Sequence, residues 1–312
     1  CSPGSKSGQC LTPFNRSRQG CGCPVPCNGG NPGCYTKRDP YRYSFTEYLM
    51  PTEYQQTLTG SYDRFFRKGV LYVGDRADSG YANMGLFLPD TADFSEACDN
   101  MMAKVAGKFR RHQGPLLDVG CGLGGTTEYL ARSFPVDGVY GINVSDYQIE
   151  QCRTRVPEAH FEVMPAEAMR FPDAKFDALV SVEAALHFKG RREFLNEARR
   201  VLKPGGEIVV ADMVFQGEPR AFPKVLAGQE CYPDLATYRA LWERCGFADI
   251  EIEDITDASW RAYVAHFKSK ALAELLAQRI DAATFNRLLL FVRNIEELPV
   301  LSYVVVSART PE

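Results

Sequence analysis

The sequence predicts an α/β fold: a doubly wound, mostly parallel sheet with a helical cap over its carboxyl edge. Three observations predict it. Short apolar runs alternate with helical stretches of ~10–15 residues, which argues for βαβ units. The first run ends in a glycine-rich turn that opens a helix. A helical block interrupts the strands late in the chain, and an insertion there sits near the edge where open α/β sheets bind ligands. Composition agrees. Of 312 residues, 45% are hydrophobic, 24% charged and 12% aromatic, which excludes collagen-like, coiled-coil and wholly disordered classes. No stretch approaches the ~18 apolar residues of a membrane span. The net charge of −3 is too small to argue for nucleic acid.

The elements follow in order. Residues 1–44 form a Cys/Gly/Pro-rich extension in which regular structure is not expected. Six of the eleven cysteines (Cys1, Cys10, Cys21, Cys23, Cys27 and Cys34) lie there. They suit zinc or disulfides, but the C-x-C-x3-C-x6-C spacing lacks the C-x2-C knuckles of common zinc modules. An irregular leader, or a fragment of a longer chain, is the competing expectation. The head lacks the apolar region of an uncleaved secretory signal.

Residues 45–95 read as an N-terminal helical cap segment, 96–257 as the cofactor-binding core, 258–297 as a helical cap insertion, and 298–312 as the last strand and tail. Within these, Ser95 to His112 is amphipathic and ends basic, as helix C-termini prefer. Pro115 to Val119 is too short for a helix and reads as the first strand. Helix Thr126 to Ser133, strand Gly138 to Ile142, helix Asp146 to Arg155, and strands His160 to Val163 and Phe176 to Val182 follow. Helix Arg191 to Leu202 leads through Lys203-Pro-Gly-Gly206 into strand Glu207 to Asp212. Helix Asp234 to Cys245, strand Ile250 to Ile255, the helical block Ala258 to Ile295, and strand Leu301 to Ala308 complete the chain.

The turn Asp118-Val-Gly120-Cys-Gly122-Leu-Gly124-Gly125 satisfies the dinucleotide fingerprint through positions 120, 122 and 125. Electrostatics leans the other way. A pyrophosphate lying on this turn would meet the Asp118 carboxylate, whereas S-adenosylmethionine carries an ammonium and a sulfonium that suit an acid, directly or through water. The second strand ends in Asn143, where NAD proteins usually place an acid for the ribose. Asn is neutral but still hydrogen-bonds hydroxyls. Both tests lean away from NAD.

LLDVGCGLGG, GINVSDYQ, MPAEAMRFPDAKFD and LKPGGEIVVAD, in this order and spacing, resemble the successive motifs of class I S-adenosylmethionine-dependent methyltransferases. The likeness covers roughly Phe45 to Thr310 and is nearest to metal-independent small-molecule enzymes of the tocopherol, sterol and natural-product type. Asn83-Met-Gly85-Leu-Phe87 resembles their N/H-x-G-Y-W stretch, with Leu and Phe replacing Tyr and Trp. The resemblance implies a Rossmann-like, seven-stranded sheet and S-adenosylmethionine as cofactor. It implies that Asp118, Gly120, Gly122 and Gly124 surround the amino-acid end of the cofactor, and that Asn143 and Gln148 reach ribose or adenine. Ala166 would contact adenine through its backbone and Glu167 through its side chain. Glu183, His187 and Phe188 would lead to the substrate.

Methyl transfer needs the acceptor atom held in line and water excluded, and a hydroxyl acceptor also needs a base. Of four histidines, His187 lies just beyond the fourth strand, where the sheet opens, so it is the expected base. An orienting or structural role is the competing reading. His112 and His160 fall at the far edge, and His266 in the cap is expected to pack. Asp212, at the end of the fifth strand, is expected to orient His187, to meet the substrate, or to cap the following turn. Glu183 is expected either to touch substrate or to be a buried, satisfied carboxylate.

No grouped metal ligands occur in the body, so no metal is expected. The function expected is methylation of a small, natural-product-like acceptor in secondary metabolism by a cytoplasmic enzyme, most simply at oxygen, with no nucleic-acid or membrane partner. C- or N-methylation, and non-catalytic cofactor binding, remain open. Aminopropyl transfer would want an acidic pocket, and residues 180–190 do not provide one.

Overall fold

The computed structural model describes residues 53–68, 79–222, 226 and 229–312. The Cys-rich extension, with its zinc or disulfide readings, lies outside the described residues. The described elements are α1 (Glu53–Lys68), α2 (Phe94–Ala106), β1 (Leu116–Val119), α3 (Gly125–Leu130), β2 (Val139–Asn143), α4 (Asp146–Arg155), β3 (His160–Val163) and β4 (Phe176–Val182). Then come α5 (Arg191–Val201), β5 (Leu202–Phe215), α6 (Leu235–Arg244), β6 (Ala248–Asp254), α7 (Ala262–Leu276), α8 (Ala282–Glu296) and β7 (Val300–Arg309).

The seven strands form one sheet in the order β3-β2-β1-β4-β5-β7-β6. Strands β1 to β5 pair in parallel, and β7 runs antiparallel between β5 and β6. The expected Rossmann-like, mostly parallel sheet is therefore present. Strand order reverses between β1 and β4, and this switch point opens a crevice at the strands' carboxyl ends.

Side-chain alternation on β5 explains why both faces are covered. Ile208 and Val210 join the core under α5 and α6, with Phe194, Ala198, Tyr238 and Trp242. Val209 and Ala211 join the opposite core, with Met101, Met102, Val105 and Leu130. Successive strand residues point to opposite faces, so the central run of β5, Ile208 to Ala211, is apolar on both. On α5, Phe194, Leu195, Ala198 and Val201 are buried, a spacing that puts one helical stripe on the sheet.

Several boundaries shift from expectation. Helix α2 stops at Ala106, with Gly107 as its C-cap, and starts at N-cap Asp93, whose side chain accepts a hydrogen bond from the Glu96 amide. Strand β5 is longer than Glu207 to Asp212. It begins at Leu202 opposite Phe176, and the Lys203–Gly206 turn is a bulge before Ala178 pairs with Glu207. Gly205, at φ +68°, permits that excursion. At its other end β5 continues to Phe215 because β7 pairs with it that far. The helical block splits into α7 and α8. Gln278 adopts φ 56°, and Asp281 caps α8 by accepting from the Thr284 amide. No helix among the described residues is long and apolar enough to cross a membrane.

Candidate active site

A cleft opens at the carboxyl ends of β1, β2 and β4. Gly120 and Gly122 line it after β1, Asn143 and Gln148 after β2, Ala166 and Glu167 after β3, and Glu183, His187 and Phe188 after β4. These sequence-singled residues therefore converge, although they are spread over some seventy positions. The far wall is apolar. Leu58 of α1, Phe94 of α2, Phe222, Tyr263 of α7, Phe291 of α8 and Leu298 line the same cleft. Residues from both expected cap segments thus line one cleft.

The glycine turn is built for close approach. Gly120 has φ +81°, and a Cβ there would lie 2.3 Å from the Ala184 Cβ. Gly122 has φ +53°, and a Cβ there would meet, among the described residues, only the Ala82 Cβ at 3.9 Å. The space before Gly122 is open, a cradle that a side chain would fill. Gly124 serves a different purpose. It caps α3 at φ 88°, and a Cβ would press on the Cys152 backbone at 3.2 Å, so its glycine permits helix packing rather than lining the cleft.

Asp118 lies behind the turn, 1% exposed, and accepts a 2.6 Å hydrogen bond from the Thr127 hydroxyl of α3. Its side chain is engaged with α3 and is not among the residues that line the cleft. Burial pushes its carboxyl up to about 7, and the Thr127 bond pulls the other way.

At the end of β2, Asn143 Nδ2 donates to Gln148 Oε1 at 3.0 Å, and Asn143 Oδ1 accepts from the Ser145 amide at 3.2 Å. Ala166 is buried in the wall. Glu167 accepts a hydrogen bond from the Lys189 amide, which ties the β3 edge to the loop after His187. Burial raises the Glu167 carboxyl above its ordinary value despite that bond.

Glu183 follows β4 at φ 50°, a left-handed conformation that strains a non-glycine residue. Its carboxylate accepts from the Met84 amide at 2.5 Å and from the Tyr303 hydroxyl of β7. Burial pushes it up to about 7, and the Tyr303 hydrogen bond opposes that rise. The Met84 bond anchors the Asn83–Phe87 stretch above the site. Leu86 is buried there, and Phe87 packs on Phe94 and on His266.

His187 ends a short 3-10 turn, Ala185–His187. Its Nε2 shares a 2.6 Å hydrogen bond with the Tyr62 hydroxyl of α1, and the two rings meet edge-on. Phe188 beside it packs on Phe194 of α5.

Asp212 corrects an expectation. Its carboxylate neither lines the cleft nor caps a turn, since β5 continues past it. It is completely buried, bonded to Arg191 Nε at 2.7 Å and Nη2 at 3.2 Å, and it accepts from the Tyr238 hydroxyl at 2.8 Å. Arg191 also donates to the carbonyl of Met213 at 3.0 Å, a residue that does line the cleft. The pair braces the wall from behind.

Tyr62, Phe222, Tyr263 and Phe291 were not singled out by sequence. Only the helical character of the segments that hold Tyr62, Tyr263 and Phe291 hinted at their place.

A family model for methyltransferase domains matches residues 117–210. The 27-O-demethylrifamycin SV methyltransferase of Amycolatopsis mediterranei (strain S699) is 30% identical over 73% of this chain and 89% of its own length. The chain belongs to the class I S-adenosylmethionine-dependent methyltransferases. A 2-methyl-6-phytyl-1,4-hydroquinone methyltransferase of Synechocystis sp. (strain ATCC 27184 / PCC 6803 / Kazusa) is 32% identical over 65% of this chain and 68% of that protein. Among solved structures, the [4+2]-cyclase SpnF superposes with a TM-score of 0.65 at 23% identity, covering 84% of this chain and 97% of that one. That likeness concerns the fold. The methyltransferase is thus an enzyme whose cofactor is S-adenosylmethionine, and the open cradle before Gly122 between the β1 and β2 ends fits that ligand.

Proposed function

We propose that this methyltransferase methylates a hydroxyl oxygen of a bulky, mostly apolar small molecule, with His187 as general base. The observation that carries the reading is the position of His187. It lines the same cleft as Gly120 and Gly122 of the glycine turn and the aromatic residues Phe222, Tyr263 and Phe291. Bound S-adenosylmethionine supplies the electrophilic methyl group.

His187 takes the proton of the acceptor hydroxyl as the oxygen becomes a nucleophile. Tyr62, hydrogen-bonded to Nε2, fixes the imidazole ring and closes α1 over it. Once the acceptor displaces or shares that bond, Nε2 is the basic atom facing it. The apolar wall excludes water and holds the acceptor by its carbon skeleton. The rifamycin relative, whose name specifies an O-demethyl acceptor, supports oxygen as the target. In this reading the enzyme works in the cytoplasm on natural-product-like acceptors, without nucleic-acid or membrane partners, and Gly120, Gly122, Asn143, Gln148, Ala166 and Glu167 hold the cofactor.

N-methylation is the second reading, favoured by one feature. The Glu183 carboxylate in the cleft wall is suited to an ammonium group. The experiment is a screen of methyl-labelled S-adenosylmethionine against hydroxylated, aminated and activated-carbon acceptors of apolar skeleton, with NMR of the product locating the label. Label on oxygen, lost in His187→Asn, supports the proposal. Label on nitrogen or carbon, retained in that variant, overturns it.

A further inference from the structure

Helix α1 lines the cleft through Leu58, Thr59 and Tyr62, and Asp63, not itself in that lining, is the residue after Tyr62. Tyr62 reaches His187 beyond β4, while Asp63 reaches the end of β2. Asp63 Oδ1 accepts hydrogen bonds from Ser145 Oγ at 2.8 Å and from Gln148 Nε2 at 3.0 Å. Its other oxygen makes no hydrogen bond among the described residues. Gln148 and Asn143, which this carboxylate abuts through the same network, line the cofactor cleft.

In a parallel sheet that binds a nucleoside over its glycine turn, the end of the second strand holds the ribose, usually with an acid. Here that position is Asn143, whose own groups are engaged. Its Oδ1 accepts the Ser145 amide, and its Nδ2 donates to Gln148. A ribose diol brings two hydroxyl donors. A neutral amide already bonded to its neighbours receives them poorly, whereas a carboxylate has about four lone-pair sites and makes charge-assisted bonds roughly twice as strong as neutral ones. Asp63 is the carboxylate that hydrogen-bonds directly to this cluster.

We infer that Asp63 of α1 receives the ribose hydroxyls of S-adenosylmethionine, taking the role that the second strand leaves to a neutral residue. The nucleoside half of the cofactor is then held partly by the cap. Because Tyr62 is the next residue, seating Asp63 on the ribose also seats Tyr62 on His187. Cofactor recognition and closure over the base become one docking event of a single helical turn.

The test is calorimetry of the full chain with S-adenosylhomocysteine and with its 2′,3′-dideoxy analogue. Asp63→Asn should weaken S-adenosylhomocysteine by about tenfold or more, as loss of a charged hydrogen-bond acceptor predicts. The dideoxy analogue should bind the variant and the unaltered protein alike. Asp63→Ala should repeat the pattern, so it does not rest on one replacement. Unchanged S-adenosylhomocysteine affinity would overturn the inference. So would equal loss for both ligands, since Asp63 would then only dock α1 and not touch the diol.

Discussion

The Tyr62 hydroxyl and the His187 Nε2 lie 2.6 Å apart, joined by a hydrogen bond between residues 125 positions apart in sequence. This contact ties helix α1 to the turn that follows β4. If His187 is the base, His187→Ala lowers kcat by roughly 10²–10⁴ with little change in cofactor affinity. His187→Asn, which cannot take the proton, shows the same loss, and the acid limb of the pH–rate profile disappears with it. Stopped-time assays with labelled cofactor check this. Near-normal kcat in the Asn variant would count against the base role. Tyr62→Phe keeps the ring but removes the hydroxyl, and its effect falls well short of that of His187→Ala.

The cradle before Gly122 yields a second prediction. Gly122→Val places a branched side chain in space that the protein itself leaves open, but at φ +53°, a left-handed conformation that strains a β-branched residue, so the melting temperature falls and the folded fraction no longer binds S-adenosylhomocysteine. Calorimetry reads binding, and thermal unfolding reports the fold. In the unaltered protein S-adenosylhomocysteine binds and NAD gives no heat. Retained binding in Gly122→Val would show that the cofactor does not approach this turn.

Glu183 predicts a pH dependence with a definite sign. Burial holds its carboxyl at about 7 against an ordinary 4.5, so between those values the folded state keeps a proton that the unfolded chain releases. Its contribution to stability is therefore greatest at or below the lower value and declines as pH rises toward the upper one. The slope approaches roughly 1.4 kcal/mol per pH unit. Denaturant unfolding of the cofactor-free protein from pH 5 to 7 should fall more steeply than that of Glu183→Gln. Parallel profiles would contradict the assignment.

The buried pair of Arg191 and Asp212 is a matter of stability. Asp212→Ala leaves a guanidinium that is 3% exposed without its counter-charge, and it should destabilise the protein by about 3–5 kcal/mol. The measurement is equilibrium unfolding, with kcat read on the remaining folded fraction. A large fall in kcat at unchanged stability would return Asp212 to the chemistry.

Metal removal supplies the last prediction. Among the described residues no group of three or more His, Cys, Asp or Glu side chains is arranged to hold an ion, so EDTA should leave methyl transfer intact. Activity lost to chelator and restored by magnesium would contradict this.

Local chemistry is what the sequence made legible. The turn from Gly120 to Gly125 is readable because positive φ demands glycine and because strand, turn and helix are contiguous there. The alternation of apolar runs and amphipathic stripes revealed the seven strands. His187 stood out because strand β4 ends five residues before it. By itself, then, the sequence determined the α/β class, the methyltransferase family and its cofactor, and it pointed to the sheet edge where the cleft opens.

What only the tertiary structure decided are the pairings between distant elements. Asp212 looked free to act because it ends an expected strand, but Arg191 and Tyr238 arrive from α5 and α6 and neutralise it. Tyr62 and Asp63 were two polar residues on an amphipathic helix, and their partners lie 125 and 82 positions away. Gly122 and Gly124 look alike in sequence, yet one faces the cleft and the other faces the Cys152 backbone. A chain specifies the period of each element locally, but which faces meet is set by the joint packing of all of them. That packing brought the end of β2, helix α1 and His187 to one cleft.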